Sequence, residues 1–265
     1  NAYLFASIAG IIFTFLYHRV ALKYGNIVFK WITLTVFYIT IVFMSLRVTP
    51  SPQYAGLILS VLVLLFNKYD RSIADHFAFY AGEIPIFTII TTSVTALFGL
   101  VMSIDGTIGK LSILIMSMSF ALIQSKQSDD KPQYQFVSDG LVILFIISGW
   151  LGSNLEATLL RFQVLMSVLL AVACRYYLMS PYFVTSDKHK DLVRATHPIV
   201  LIVGSVGTLL MGGNSVSREI SLDLSNLLYI MTNGILFVLV VKELWCNRGR
   251  FTGTLTLVYT YTVAL

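Results

Sequence analysis

Residues 27–46 read IVFKWITLTVFYITIVFMSL, a run of twenty residues in which Lys30 is the only charged side chain. A helix of that length is about 30 Å long and matches the hydrocarbon thickness of a bilayer. Similar apolar stretches recur, and ten can be marked: 2–17, 27–46, 54–66, 84–103, 111–123, 136–152, 163–179, 198–213, 223–241 and 251–265. The sequence therefore predicts an all-α, polytopic integral membrane protein with about ten transmembrane helices.

The composition excludes several other classes of protein. Of the 265 residues 57% are hydrophobic and 12% are charged, which is about half the charged share of a soluble domain. The basic residues lie singly between apolar stretches, which favours the lipid bilayer over nucleic acid as a partner. Cys174 and Cys246 are isolated, and no cluster of histidines and cysteines has the spacing of a metal site. We expect no metal, no cofactor and no catalytic residues, so the chain is not predicted to be an enzyme.

The distribution of lysine and arginine predicts an orientation in the membrane. The links that follow odd-numbered stretches contain 13 of these residues, and the links that follow even-numbered stretches contain 4. By the positive-inside rule the odd links are cytosolic and Asn1 lies on the lumenal side. The chain begins at Asn1 without a methionine, so we expect that a signal peptide or another upstream segment has been removed.

The two halves of the chain show a weak internal similarity. The segment 83–110 and the segment 219–250 each begin at a glutamate, continue through an apolar helix and end in a short polar turn. The sequence therefore predicts five-helix repeats at 1–125 and 136–265, joined by a polar linker at 126–135. Because five is odd, the second repeat would be inverted relative to the first, as in many carriers. The alternative is that any two apolar helical hairpins resemble each other.

Three segments, 77–110, 140–156 and 225–265, resemble the drug/metabolite transporter superfamily, specifically its nucleotide-sugar and triose-phosphate branch. Segment 77–110 is similar to the passage from the third to the fifth helix of that branch. Segment 140–156 is similar to its sixth helix, which often ends in a Ser-Gly pair and a glutamate, and segment 225–265 to its last two helices. The resemblance implies a ten-helix carrier of the endoplasmic reticulum or Golgi that exchanges an anionic substrate.

The chain departs from this branch in two respects. Members that carry GDP-mannose have an FYNN motif in the seventh helix and a GALNK motif in the ninth, where this chain reads RFQV at 161–164 and DLSN at 223–226. The family also keeps both termini in the cytosol, whereas the charge distribution places Asn1 in the lumen. A removed signal peptide or upstream helix would reconcile the two orientations.

Arg175 is the most informative polar residue, because an ionisable side chain inside a membrane span is costly unless it is paired or hydrated. Its guanidinium could bind a substrate phosphate through two hydrogen bonds. The alternative is that Arg175 lies near a helix end and extends to the lipid headgroups beside Tyr176 and Tyr177, which are typical of a membrane interface. We favour this second interpretation.

Other polar residues complete a candidate substrate-binding set of Arg175, Glu156, Asn226, Asn233 and Tyr80. Glu156 has a structural alternative, which is an ion pair with Arg161 at the membrane edge. Asn226 and Asn233 lie seven residues apart on one helix face, where amides also serve as contacts between helices.

Two further groups receive structural interpretations. We expect Glu83 to stabilise the amide-rich N-terminus of the following helix. The chain's four histidines are scattered, and His189 is expected in a solvated loop within the polar link 180–195.

The sequence thus favours a multi-pass carrier, with antiport of a nucleotide-sugar or a related phosphate compound as its function. The alternative is a regulatory or scaffold subunit that has the same fold and holds a membrane glycosyltransferase or a lipid-modifying enzyme. The two hypotheses differ in the partner that they predict. The scaffold subunit is expected to bind a membrane enzyme, whereas the carrier is expected to be a lone monomer or a homodimer. A third hypothesis, the membrane part of a lipid-linked enzyme, needs a lumenal carboxylate or histidine cluster that the sequence does not provide.

Overall fold

The structure, a computed structural model, describes residues 2–103, 106–127, 132–151, 155–183, 186–213 and 223–246. These residues form nine α-helices and one short 3₁₀ helix and contain no strand, which confirms the all-α fold class. The α-helices are α1 (Ala2–Tyr24), α2 (Ile27–Val48), α3 (Pro52–His76), α4 (Ile84–Ser103), α5 (Thr107–Lys126), α6 (Gln133–Ser148), α7 (Ala157–Leu178), α8 (Asp187–Gly213) and α9 (Leu224–Cys246). The first nine predicted stretches each correspond to one helix, and the tenth, 251–265, lies outside the described residues.

Seven of the described helices, α1, α2, α4, α5, α7, α8 and α9, are long and apolar enough to cross a membrane. Their outer surfaces are apolar: Phe5 is 70% exposed, Leu97 64% and Val238 62%. Contact with lipid instead of water removes the free-energy cost of this surface. The chain is therefore a multi-pass membrane protein, while ten spans and an inverted repeat stay predictions.

The chain divides into two compact units, Asn1–Ile123 and Gln124–Leu265. In unit 1, α1 packs along α2 as a hairpin, α3 packs along α4 as a second hairpin, and α2 also contacts α3. The first hairpin turns at Gly25, whose φ of +62° favours glycine. At Gly10 an added Cβ atom would overlap the side chain of Thr40. A glycine at this position thus lets α1 and α2 approach closely without displacing Thr40.

In unit 2, α6 packs against α7 and α8, and α9 packs against the same two helices. The helix α8 begins at Asp187, so the prediction of a polar link over 180–195 is wrong from residue 187 onward. The predicted stretch 198–213 forms the second part of this helix. The buried residues between 187 and 197 are His189, Val193, Thr196 and His197, which are spaced 4, 3 and 1 residues apart. Residues with this spacing lie on one face of a helix, which is buried here. The charged residues that alternate with these buried positions are typical of a loop, and this is why the sequence predicts one.

Candidate functional site

Unit 1 contains a cleft of about 710 Å³ between the α1–α2 hairpin and the α3–α4 hairpin. We call it the unit 1 cleft. Its walls are mainly aliphatic and aromatic, with Phe37 and Ile41 from α2 and Leu62 and Phe66 from α3. Ligand sites in proteins typically enclose about 300–1,000 Å³ with apolar walls and a few placed polar groups. The cleft therefore has the size and lining of a small-molecule site.

One end of the unit 1 cleft is polar. His18 Nδ1 and the Tyr80 hydroxyl are 2.7 Å apart and hydrogen-bonded, and the two rings stack with their centroids 5.7 Å apart. The 3₁₀ helix Ala78–Tyr80, which lies between α3 and α4 and outside the seven spanning helices, positions the phenol. Burial raises the pKa of Tyr80 above its ordinary value, so the hydroxyl stays protonated as a hydrogen-bonding group. Tyr80 is the predicted site residue that reaches this cleft.

Charged side chains lie near this polar end, outside the lining of the cleft. Lys30 Nζ lies 3.2 Å from Glu83 Oε1 and 4.4 Å from the centroid of the Phe79 ring. The Arg19 guanidinium lies 5.1 Å from the centroid of Phe15, a ring that lines the cleft. Glu83 directly precedes α4 as the sequence predicts, and it also forms an ion pair with α2 that sequence reasoning missed.

Unit 2 contains a buried ion pair between Arg175 and Asp139. Arg175 is 0% exposed, and its Nη1 donates to Asp139 Oδ1. Its Nη2 donates to the Val193 carbonyl and to Thr196 Oγ1, both at 2.9 Å. Gln135 Nε2 donates to the same Asp139 oxygen at 2.7 Å. We call these five residues the Asp139–Arg175 cluster, which joins α6, α7 and α8.

The interpretation that Arg175 extends to lipid headgroups is wrong. Arg175 does lie in the last turn of α7, but it occupies the helix face that packs against α6 and α8, whereas Tyr176 and Tyr177 are 38% and 42% exposed. Because its guanidinium is already neutralised by Asp139, the described structure offers it no vacant anion site. Sequence reasoning missed Asp139, although a carboxylate within the apolar stretch 136–152 is a signal of the same kind as Arg175.

Two histidines of α8 lie near the cluster. His189 is 4% exposed and His197 is 0% exposed, so the prediction of a solvated loop around His189 is wrong. His197 Nε2 lies 4.0 Å from Glu243 Oε1, and the His197 ring meets Tyr176 edge to face at 5.4 Å. Within the described residues, neither ring has a hydrogen-bond partner.

The remaining predicted site residues lie elsewhere in unit 2. Asn226 Oδ1 accepts a hydrogen bond from Arg161 Nη1 at 2.8 Å, and Asn233 Oδ1 accepts one from Thr208 Oγ1 at 3.2 Å. Both amides thus join α9 to a neighbouring helix, α7 or α8. Glu156 directly precedes α7, is exposed, and makes no side-chain capping hydrogen bond.

The predicted set does not meet at one place within unit 2. Arg161, the partner of Asn226, and Arg175 are fourteen residues apart on α7, which is roughly 21 Å along the helix axis. Tyr80 belongs to unit 1. The structure thus presents two distinct candidate features, a roomy apolar cleft with a polar end and a tightly packed ion pair.

No protein-family model, curated protein or solved structure matches this chain. The resemblance to the drug/metabolite transporter superfamily therefore stays a prediction. What the described residues define is a class: a multi-pass helical membrane protein with a cleft of ligand size between two of its helical hairpins.

Proposed function

We propose that this chain is a membrane carrier that binds a small molecule in the unit 1 cleft and moves it across the bilayer. The observation that carries the proposal is the cleft itself, about 710 Å³ between two helical hairpins. Helical bundles place their ligand sites between helices, in cavities of this size. The resemblance to a carrier superfamily supports the same class of function.

The substrate is proposed to be an anion. The ranges 18–30 and 67–84, which form the polar end of the two hairpins, contain five lysines and arginines and three carboxylates. An excess of positive charge favours an anionic ligand. The resemblance implies a nucleotide-sugar or a related phosphate compound, carried by antiport across the endoplasmic reticulum or Golgi membrane.

Exchange in reconstituted liposomes tests the carrier function. The full chain is reconstituted and loaded with unlabelled substrate, and uptake of labelled nucleotide-sugars and other phosphate compounds is measured. We expect uptake that saturates with external substrate and that requires substrate inside the vesicle. If every compound enters at the rate of protein-free liposomes, the chain does not carry this class.

A pair of tryptophan variants on α2 tests whether the unit 1 cleft is the transport site. Ile41 lines the cleft, whereas Ile39, two residues away, is 44% exposed on the outer face. Ile41→Trp fills the cleft and should abolish saturable uptake, while Ile39→Trp adds the same volume on the outer face and should leave uptake unchanged. Equal uptake by the two variants would place the transport site elsewhere.

A regulatory or scaffold subunit is the second candidate, and the Asp139–Arg175 cluster favours it. The ionisable groups of that cluster pair with each other and connect α6, α7 and α8, so they have a structural role and do not bind a substrate. Co-purification in mild detergent distinguishes the candidates. A stoichiometric membrane glycosyltransferase or lipid-modifying enzyme supports the scaffold, and a lone monomer or homodimer stabilised by substrate supports the carrier.

A further inference from the structure

The polarity of the unit 1 cleft changes along its length. His18 and Tyr80 lie at one end, and the opposite end is formed by apolar side chains such as Ile11, Met44 and Leu59. The lining of α3 runs from Leu59 to Ile73, which is about 21 Å along the helix. The unit 1 cleft is therefore elongated along the helices and polar at one end, and we refer to it below as the channel.

The apolar part of the channel provides few free donors for a polar ligand. The hydroxyls of Thr14, Thr40 and Thr91 each donate to a backbone carbonyl four residues earlier in their own helix. The Tyr38 hydroxyl is hydrogen-bonded to Thr95 at 2.7 Å. A sugar ring or a nucleobase in this part would lose hydrogen bonds to water without replacing them, which is unfavourable. A hydrocarbon chain meets no such penalty.

The polar end has unused capacity to bind an anion. His18 uses Nδ1 for Tyr80, and the described residues supply no hydrogen-bond partner for its other ring nitrogen. Arg19 lies over Phe15 at the wall of the channel. Lys30, which lies over Phe79, is paired with Glu83 and is therefore not counted as a free cation. The basic excess of this end is complementary to a negatively charged head group. By the distribution of lysine and arginine along the chain, this end faces the cytosol.

We propose that the unit 1 cleft binds an anionic amphiphile with one long apolar chain, its head group at His18 and Tyr80 and its chain between α2 and α3. The inference rests on the proposed function, because it names the ligand class of the same cleft. It replaces a fully water-soluble nucleotide-sugar with a lipid-like phosphate or carboxylate. Both head groups offer the same chemistry, a negative charge and oxygen acceptors.

Photo-crosslinking with the full chain in phosphatidylcholine nanodiscs tests this assignment. The probes are hexadecyl phosphate, hexadecanoic acid and uncharged hexadecanol, each with a diazirine at the end of the chain. We expect the two anions to label peptides of α2 and α3 around Ile41 and Leu59 and to compete with their unlabelled forms. Hexadecanol should label these peptides about tenfold less, because it lacks the charge-assisted contacts. The ratio between phosphate and carboxylate identifies the preferred head group.

Two matched pairs of variants locate the chain and the head. Ile41→Trp should remove the labelling, and Ile39→Trp should not. His18→Ala should weaken competition by the anions about tenfold. His76→Ala removes an exposed histidine of α3 outside the channel and should have no effect.

The outcomes separate this inference from the carrier function. Equal labelling by all three probes, unaffected by Ile41→Trp, would show ordinary contact with bulk lipid and overturn the inference. Saturable nucleotide-sugar uptake that Ile41→Trp abolishes, without labelling by the anions, would also overturn it and leave the carrier function in place. Specific labelling without transport of the anionic probes or of any nucleotide-sugar would support the inference and contradict the carrier.

Discussion

Replacing Arg175 with alanine removes the cation that pairs with Asp139 in the part of the chain that the structure describes. The side chains of Arg175 and Asp139 are 1% and 9% exposed, so water cannot readily replace the lost partner. Breaking a buried ion pair from one side costs about 3–5 kcal/mol, because an uncompensated charge stays buried. We expect a loss of this size in the free energy of unfolding of unit 2, which is a factor of roughly 150 to 5,000 in the unfolding equilibrium.

Arg175→Lys should cost about half as much as Arg175→Ala. An ammonium keeps the charge opposite Asp139 but lacks the planar fork that also reaches the Val193 carbonyl and Thr196. The double variant Asp139→Leu with Arg175→Met removes both charges and retains the volume. It should be more stable than Arg175→Ala, because replacing a whole buried pair with apolar residues is often neutral.

Reversible unfolding in mixed micelles, followed by circular dichroism, measures these differences. Arg194→Ala is the matched control, since Arg194 pairs with Asp191 on the same helix at 3.2 Å but both side chains are more than half exposed. An exposed pair contributes at most about 1 kcal/mol. If Arg175→Ala costs no more than Arg194→Ala, or if lysine replaces Arg175 without loss, the Asp139–Arg175 cluster does not hold α6, α7 and α8 together.

Three further predictions concern helix packing and orientation. Gly10→Val should separate α1 from α2 and lower thermal stability by several degrees, measured by thermal unfolding in micelles, because even its Cβ would overlap Thr40. Unchanged stability would mean that the two helices do not approach closely at Gly10. Asn226→Leu should destabilise the contact between α7 and α9 by about 1–3 kcal/mol, measured by the same method, because Arg161 loses an acceptor. A cost equal to that of an exposed substitution on α9 would contradict this. An epitope tag inserted at 127–132 should be digested by protease added to the cytosolic side, because the distribution of lysine and arginine places this link in the cytosol. Protection of the tag would reverse the predicted orientation.

The helices themselves follow from local sequence properties. Each of the nine described helices contains an apolar stretch that is visible in the sequence, because a segment that lies in lipid must satisfy its backbone internally and present apolar side chains. The start of α8 was missed because Asp187, Lys188 and Lys190 resemble a loop. Only the spacing of His189, Val193 and Thr196 identifies a buried face there.

The candidate site was less predictable than the helices. Arg175 and Tyr80 were singled out from the sequence, but their neighbours were not. Asp139 lies 36 residues from Arg175 in the chain and His18 lies 62 residues from Tyr80. Local sequence patterns do not extend over such separations along the chain. A sequence can therefore indicate that a buried charge needs a partner, but it does not indicate which residue is that partner.

The sequence by itself determined the class of this protein. Its apolar stretches are long and contain few charged residues, which favours membrane-spanning helices. Each segment must satisfy its own backbone hydrogen bonds in the bilayer, so this follows from the local sequence. Only the tertiary structure decided that Arg175 is neutralised by Asp139 and that a channel with one polar end lies between two hairpins. Both depend on which helix faces meet, and that choice is made by packing between segments far apart in the chain.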